Sequence, residues 1–164
     1  MQPPNIMVMG VGSILFSDEG LGVRFLDELA KTPLPDNVEI VEGGTAGLEL
    51  IALIQETDFL IIVDAVNAQD EPGAMFRFRP KDLRFLPEPF QVSFHQVGLL
   101  DMLNAASLIG KVPETLIFGV QPKSLEWSME ISPEIRAVFP RIAELVLREI
   151  DSINQSGGFC GGNL

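Results

Sequence analysis

The sequence predicts an α/β domain in three layers, α/β/α: a twisted, mostly parallel five-stranded sheet with one antiparallel strand and helices on both faces. Three observations predict it. Short apolar runs alternate with segments of helical apolar periodicity along most of the chain. The runs at 6–11 and 59–63 are apolar throughout, as strands buried on both faces are. The runs at 59–63 and 74–78 have no helix between them, so one of the two is expected to run antiparallel to the rest.

Each element has a local reason. Residues 6–11 form a buried strand bounded by Gly10 and Gly12. A helix is expected over 19–31, with Asp18 as N-cap and Val23, Leu26, Leu29 and Ala30 at helical spacing. Pro33 and Pro35 end it. A second strand is expected at 38–41, followed by a turn at Glu42-Gly43-Gly44. Thr45 can cap a helix over 46–56, carrying Leu48, Ile51, Ala52 and Ile54. The third strand, 59–63, ends at Asp64. The fourth, 74–78, alternates as a half-exposed strand does, with Arg77 and Arg79 on its exposed face. Three prolines make 80–92 a loop with one short helical turn. His95 opens a helix over 95–109, with Val97, Leu100, Leu103 and Leu108 on its apolar side. The last strand is 116–120. A final helix over 133–153 starts with Ser132 as N-cap and Pro133 at the first helical position. Its buried stripe includes Ile135, Ile142 and Val146, and Pro140 is expected to kink it. Residues 1–155 read as one domain and 156–164 as a flexible glycine-rich tail.

Composition bounds the function. The 164 residues are 46% hydrophobic and carry a formal net charge of −12. That is enough chain for one self-supporting core. The acidity argues against a nucleic-acid partner and against an anionic membrane surface, since both need clustered Lys and Arg. The one cysteine, Cys160, allows no internal disulfide and no cysteine zinc cluster. No apolar run approaches the length of a membrane span, and no basic segment followed by an apolar one opens the chain. These features together point to a cytoplasmic protein.

The segment from Ile6 to Val23 is the most informative. A dinucleotide-binding glycine loop would have a third glycine at position 15, which holds Leu15. Asp18 and Glu19 would also repel phosphate at the start of the helix. The turn is better suited to a cation or to acid–base work. In open α/β sheets, ligands bind outside the carboxyl ends of the strands. Glu19 follows the first strand there, Asp64 ends the third, and Gly43 and Gly44 follow the second. His95, the only histidine, stands at a helix start, where the dipole favours the neutral imidazole that a metal ligand must be. Each residue has a structural explanation when taken singly. Together Glu19, Asp64 and His95 form a mixed O/N donor set for zinc, nickel or a similar divalent ion, with positions left open. Gln96 could orient a neighbour or a peptide carbonyl. Trp127 reads either as a partner contact or as a core plug. Serine and cysteine hydrolase settings are absent.

At these residues the chain resembles the hydrogenase maturation endopeptidases. The resemblance rests on Met9-Gly10-Val11-Gly12, Asp18-Glu19-Gly20, Gly22-Val23, Glu42-Gly43-Gly44-Thr45-Ala46-Gly47, Ile62-Val63-Asp64-Ala65, His95-Gln96, Gly119-Val120-Gln121-Pro122 and the segment 125–133. It extends through residue 153. Ser13 stands where members often have Asn, and Glu42 where they often have Asp. The resemblance implies cleavage near the C-terminus of a nickel–iron hydrogenase large-subunit precursor after nickel insertion. It places the metal-binding set, expected also to be catalytic, on Glu19, Asp64 and His95; Gly43, Gly44, Thr45 and Gln96 are expected to contact the substrate. The nickel is expected to arrive with the substrate, and zinc or cadmium could occupy the same site. A monomer is expected, because a transient protein substrate needs an exposed site. A non-catalytic chaperone for the nickel-loaded subunit is the alternative, and a different amide or ester hydrolase the next.

Overall fold

A computed structural model describes residues 2–44, 50–85 and 94–162, with the backbone alone at 44, 84–85 and 94–97. The strands are β1 (Ile6–Val11), β2 (Val38–Gly44), β3 (Phe59–Ala65), β4 (Met75–Phe78) and β5 (Glu114–Val120). They form one sheet in the order β2-β1-β3-β5-β4. β1, β2, β3 and β5 are parallel. β4 is the antiparallel strand, with Met75 opposite Val120 and Phe78 opposite Ile117. The expected architecture is therefore present, and β4 is the reversed member of the pair that lacks an intervening helix.

The helices are α1 (Leu21–Leu29), α2 (Ile51–Gln55), α3 (Phe94–Ile109), α4 (Pro133–Arg136) and α5 (Phe139–Ser156). Successive strand side chains point to opposite faces, so each central strand feeds two cores. Ile6 and Val8 of β1, Ile61 and Val63 of β3, and Leu116 and Phe118 of β5 pack under α1, α4 and α5. Met7, Met9, Leu60, Ile62 and Ile117 pack under α2 and α3. Burial of an aliphatic side chain of this size contributes about 1.5–3 kcal/mol. That is why the strands read as unbroken apolar runs. Gly22 lets α1 approach closely: a Cβ there would lie 2.1 Å from the Val63 carbonyl oxygen.

Several expectations need correction. The first helix does not begin at 19. Ser17–Gly20 is a separate 3-10 turn, and α1 starts at Leu21. The second strand runs on through Glu42, Gly43 and Gly44, which are not a turn. Thr45, offered as a helix cap, lies outside the described residues. The buried stripe of α3 is Leu99, Met102, Leu103 and Ala106, whereas Leu108 is exposed. The helix is apolar on more than one side, so periodicity alone misplaced its inner face. The final helix is broken rather than kinked. Pro140 would clash with the carbonyl of residue 136 in a continuous helix, so it sits in the first turn of a new one.

Residues 157–162, expected to belong to a flexible tail, fold back onto the sheet edge. Arg77 donates to the carbonyls of Cys160 at 2.7 Å and Gly162 at 2.9 Å. Its Nε donates to Glu149 Oε1 at 2.9 Å, and the Cys160 N–H donates to Glu149 Oε2 at 2.8 Å. Phe159 meets Phe59 edge-to-face at 5.4 Å. Arg77 is thus not on an open strand face. It and Glu149 are a buried ion pair whose remaining donors and acceptors need partners, and the tail supplies them.

Candidate active site

The strand order reverses between β1 and β3, because the chain leaves β1 for β2 on one side and comes back to β3 on the other. Ligand crevices in open α/β sheets form at this point, outside the carboxyl ends. Gly12 follows β1 there with φ +125, a conformation that L side chains rarely adopt. A Cβ at Gly12 would lie 1.9 Å from the backbone oxygen of Glu19 and 3.7 Å from Asp64 Oδ1. The turn carrying Glu19 and the carboxylate ending β3 therefore meet across one bare glycine backbone. Sequence reasoning paired these two acids by strand-end placement, and the fold brings their segments together.

Asp64 is 1% exposed, and its Oδ1 accepts the N–H of Ala65 at 2.8 Å. Backbone capture thus accounts for one oxygen. Glu19 lies half-buried in the 3-10 turn. His95 and Gln96 fall in the first turn of α3, as expected, but their side chains lie outside the described residues. Among the described residues, no three His, Cys, Asp or Glu side chains are gathered as a metal site.

Gly43 sits at a β-bulge. Gly10 pairs with Glu42 and Val11 with Gly44, leaving Gly43 as the extra residue. Bulges re-aim the chain at sheet ends. A Cβ at Gly43 would meet the Met9 side chain at 3.0 Å, so a larger residue there would have to push that side chain aside. Gly44 continues the strand beyond it.

Asp18 does not cap its own helix, as its position suggests, but has a different task. It is fully buried, and its side chain caps the distant segment 123–132 instead. Oδ2 accepts the N–H groups of Lys123 and Ser124, each at 2.9 Å, and the Ser132 hydroxyl at 2.8 Å; Oδ1 accepts the Ser132 N–H at 2.7 Å. Ser132 stands at the N-cap with Pro133 opening the helix, as expected, but its hydroxyl goes to Asp18 instead of to that helix. Three N–H groups and one hydroxyl make up for the water that a buried carboxylate loses. Next to it, Ser17 is held at φ 49, in the left-handed region. Its N–H donates to Ser128 O at 2.7 Å and its hydroxyl to Glu130 O at 2.9 Å. The backbone strain is held by these bonds, as is common beside working sites.

Gln121, in the motif Gly119-Val120-Gln121-Pro122, has a structural task of its own. Its Oε1 accepts the N–H groups of Ala68 at 2.7 Å and Asp70 at 3.3 Å, fixing the loop after Asp64. A polar residue directly after an apolar strand was the available signal. A 450 Å³ cleft lined by Arg24, Lys31, Met129 and Arg136 lies on the α1 flank, and neither Glu19 nor Asp64 lines it.

The family model for hydrogenase maturation proteases matches residues 23–149. The hydrogenase 2 maturation protease of Escherichia coli K12 is 42% identical over 147 residues, covering 87% of this chain and 88% of that protein. The hydrogenase expression/formation protein HupD of Rhizobium leguminosarum bv. viciae is 38% identical over 152 residues, covering 91% and 75%. Among solved structures, the hydrogenase maturating endopeptidase HybD from E. coli matches with TM-score 0.80 at 38% identity, covering 93% of this chain and 94% of that one.

Proposed function

Because the chain belongs to the hydrogenase maturation protease family, we propose that it is an endopeptidase that removes the C-terminal extension of a nickel–iron hydrogenase large-subunit precursor once nickel is in place. The observation that carries this reading is the meeting of Asp64 with the Glu19 turn across Gly12 at the switch point of the sheet.

Glu19, Asp64 and His95 grip the nickel that the substrate carries. Two carboxylates and an imidazole suit nickel, and zinc or cadmium could take the same donors. Holding the ion fixes the precursor tail relative to the enzyme, and orientation of that kind lowers the barrier to attack on one chosen peptide bond. A resident ion in the same donor set would instead polarise the carbonyl and lower the pKa of a bound water. Gly43 and Gly44, at the bulged end of β2, leave backbone bare for the substrate chain; Thr45 and Gln96 are assigned to substrate contact through the motifs they match. The enzyme works as a cytoplasmic monomer. Among the described residues no helix is long and apolar enough to cross a membrane.

The test is mass spectrometry of nickel-loaded and nickel-free precursor, each mixed with the purified protein or its Asp64→Asn variant. Loss of a C-terminal fragment only from the nickel-loaded sample, and only with the unsubstituted protein, is the expected result. Equal cutting of both precursors would move the metal from substrate to enzyme. Binding without shortening would replace the peptidase by the chaperone reading.

A further inference from the structure

Two loops beside the Glu19 turn display large apolar side chains to solvent. Leu15 and Phe16 come from the segment after β1, and Leu125, Trp127 and Met129 from the segment after β5. Trp127 is 75% exposed, the opposite of a core plug. The two loops are joined. Ser128 donates its N–H to Leu15 O at 3.0 Å, Ser17 donates to Ser128 O, and Trp127 meets Phe16 edge-to-face at 5.3 Å. Buried Asp18, the residue before Glu19, then holds the base of the second loop through Lys123, Ser124 and Ser132. The display is therefore a rigid platform whose position relative to Glu19 is set by the fold.

We infer that this platform is the docking surface for an apolar segment of the large-subunit precursor, gripping the protein substrate beside the cleavage site. The inference rests on the peptidase reading for the identity of the partner. Two features favour that occupant over a second copy of this chain. Five side chains at 36–75% exposure present about 500 Å², short of the roughly 800 Å² per partner that a stable dimer buries. A transient substrate contact needs less. Charge points the same way: Glu126 and Glu130 alternate with Leu125, Trp127 and Met129 in a chain of net charge −12. A second copy would set these acids against each other, whereas an apolar segment flanked by basic residues would complement them. Trp is also the side chain most often found as an interface anchor.

Trp127 is the only tryptophan, so 5-fluorotryptophan labelling gives one ¹⁹F resonance that reports on the platform alone. The probe is the nickel-loaded precursor. Docking predicts that the resonance shifts or broadens when precursor is added. It also predicts that Trp127→Ala raises KM for precursor shortening by about tenfold or more, as removal of an aromatic anchor does, with kcat within about twofold. Leu15→Ser, on the facing loop, should act in the same direction; circular dichroism confirms that both variants fold. Normal shortening by the unsubstituted protein, with an unmoved resonance and unchanged KM in both variants, would overturn docking and leave the peptidase intact. A dimer in solution that Trp127→Ala splits into monomers would give the platform to a second copy and also overturn it. A shifted resonance without any shortening would support docking and sink the peptidase reading.

Discussion

Replacing Asp18 should cost far more than the loss of a helix cap. Asp18 is fully buried, and four hydrogen bonds from Lys123, Ser124 and Ser132 end on its carboxylate. Asp18→Ala leaves three backbone N–H groups and a hydroxyl with nothing to accept them. A hydrogen bond to a charged group is worth about 1.5–3 kcal/mol. The four share one acceptor and part of the loss is recovered when the loop relaxes and water enters, so the expected total is about 3–5 kcal/mol. Loss of an N-cap costs only about 0.5–2 kcal/mol. Asp18→Asn is milder, about 2 kcal/mol, because its amide can keep the Oδ2 partners and set one donor against the Ser132 N–H. For a chain of 164 residues, each kcal/mol moves Tm by about 2–4 °C. Thermal unfolding followed by circular dichroism should therefore show Asp18→Ala lowered by about 6–20 °C, with Asp18→Asn between it and the unsubstituted protein. Amide exchange of residues 123–132 should accelerate in both. A Tm drop of only about 2 °C for Asp18→Ala would restore the simple N-cap reading.

Other consequences follow from particular contacts. Gly12→Ala forces a Cβ to 1.9 Å from the Glu19 oxygen at φ +125; the turn must move, and precursor shortening should be lost along with about 3 kcal/mol or more of stability in urea titration. A chain ending at Ser156 deprives Arg77 of two carbonyl acceptors and exposes Phe59, so its Tm should fall by about 4–10 °C, and an unchanged Tm would show the folded-back tail to be dispensable. The Lys111 ammonium beside Asp58, helped by the Asn5 N–H, holds the Asp58 carboxyl below its ordinary 3.8. Its contribution is present above that value and lost as pH falls through the lower folded value. The pair is about one-third exposed on the acid side, so Asp58→Asn should cost only about 0.5 kcal/mol at neutral pH, and the difference in urea midpoint should vanish once the pH has fallen through the lowered folded value. A difference that persists there would mean that Asp58 acts through packing rather than charge.

The layered α/β architecture and one reversed strand were legible because burial on two faces demands continuous apolar runs, and a missing crossover helix allows an antiparallel partner. The strand-end rule nominates Glu19 and Asp64 together, and the fold sets the Glu19 turn beside Asp64 at Gly12. Where local rules failed, a distant group had claimed the residue. Asp18 looks like the cap of the first helix but caps none, and Ser132 stands at the N-cap of α4 as expected yet gives its hydroxyl to Asp18, 114 positions away in sequence. Pro140 announces a disturbed helix, and the chain answers by restarting with Pro140 in the first turn of α5, where Phe139 meets Phe25 edge-to-face. The glycine-rich tail carries no local signal for order, because its partners, Arg77 and Glu149, come from β4 and α5.

Composition, periodicity and ordered motifs by themselves determined the fold class and the family, and they nominated Glu19 and Asp64 as the acids of the candidate site. Those properties follow from which residues must leave water and which end a strand. Only the tertiary structure decided that a buried carboxylate clamps the loop after β5, that Trp127 faces solvent, and that Gly12 brings the Glu19 turn against Asp64. These depend on pairings between residues far apart in the chain, whose free energy exists only once the backbone has closed them into contact.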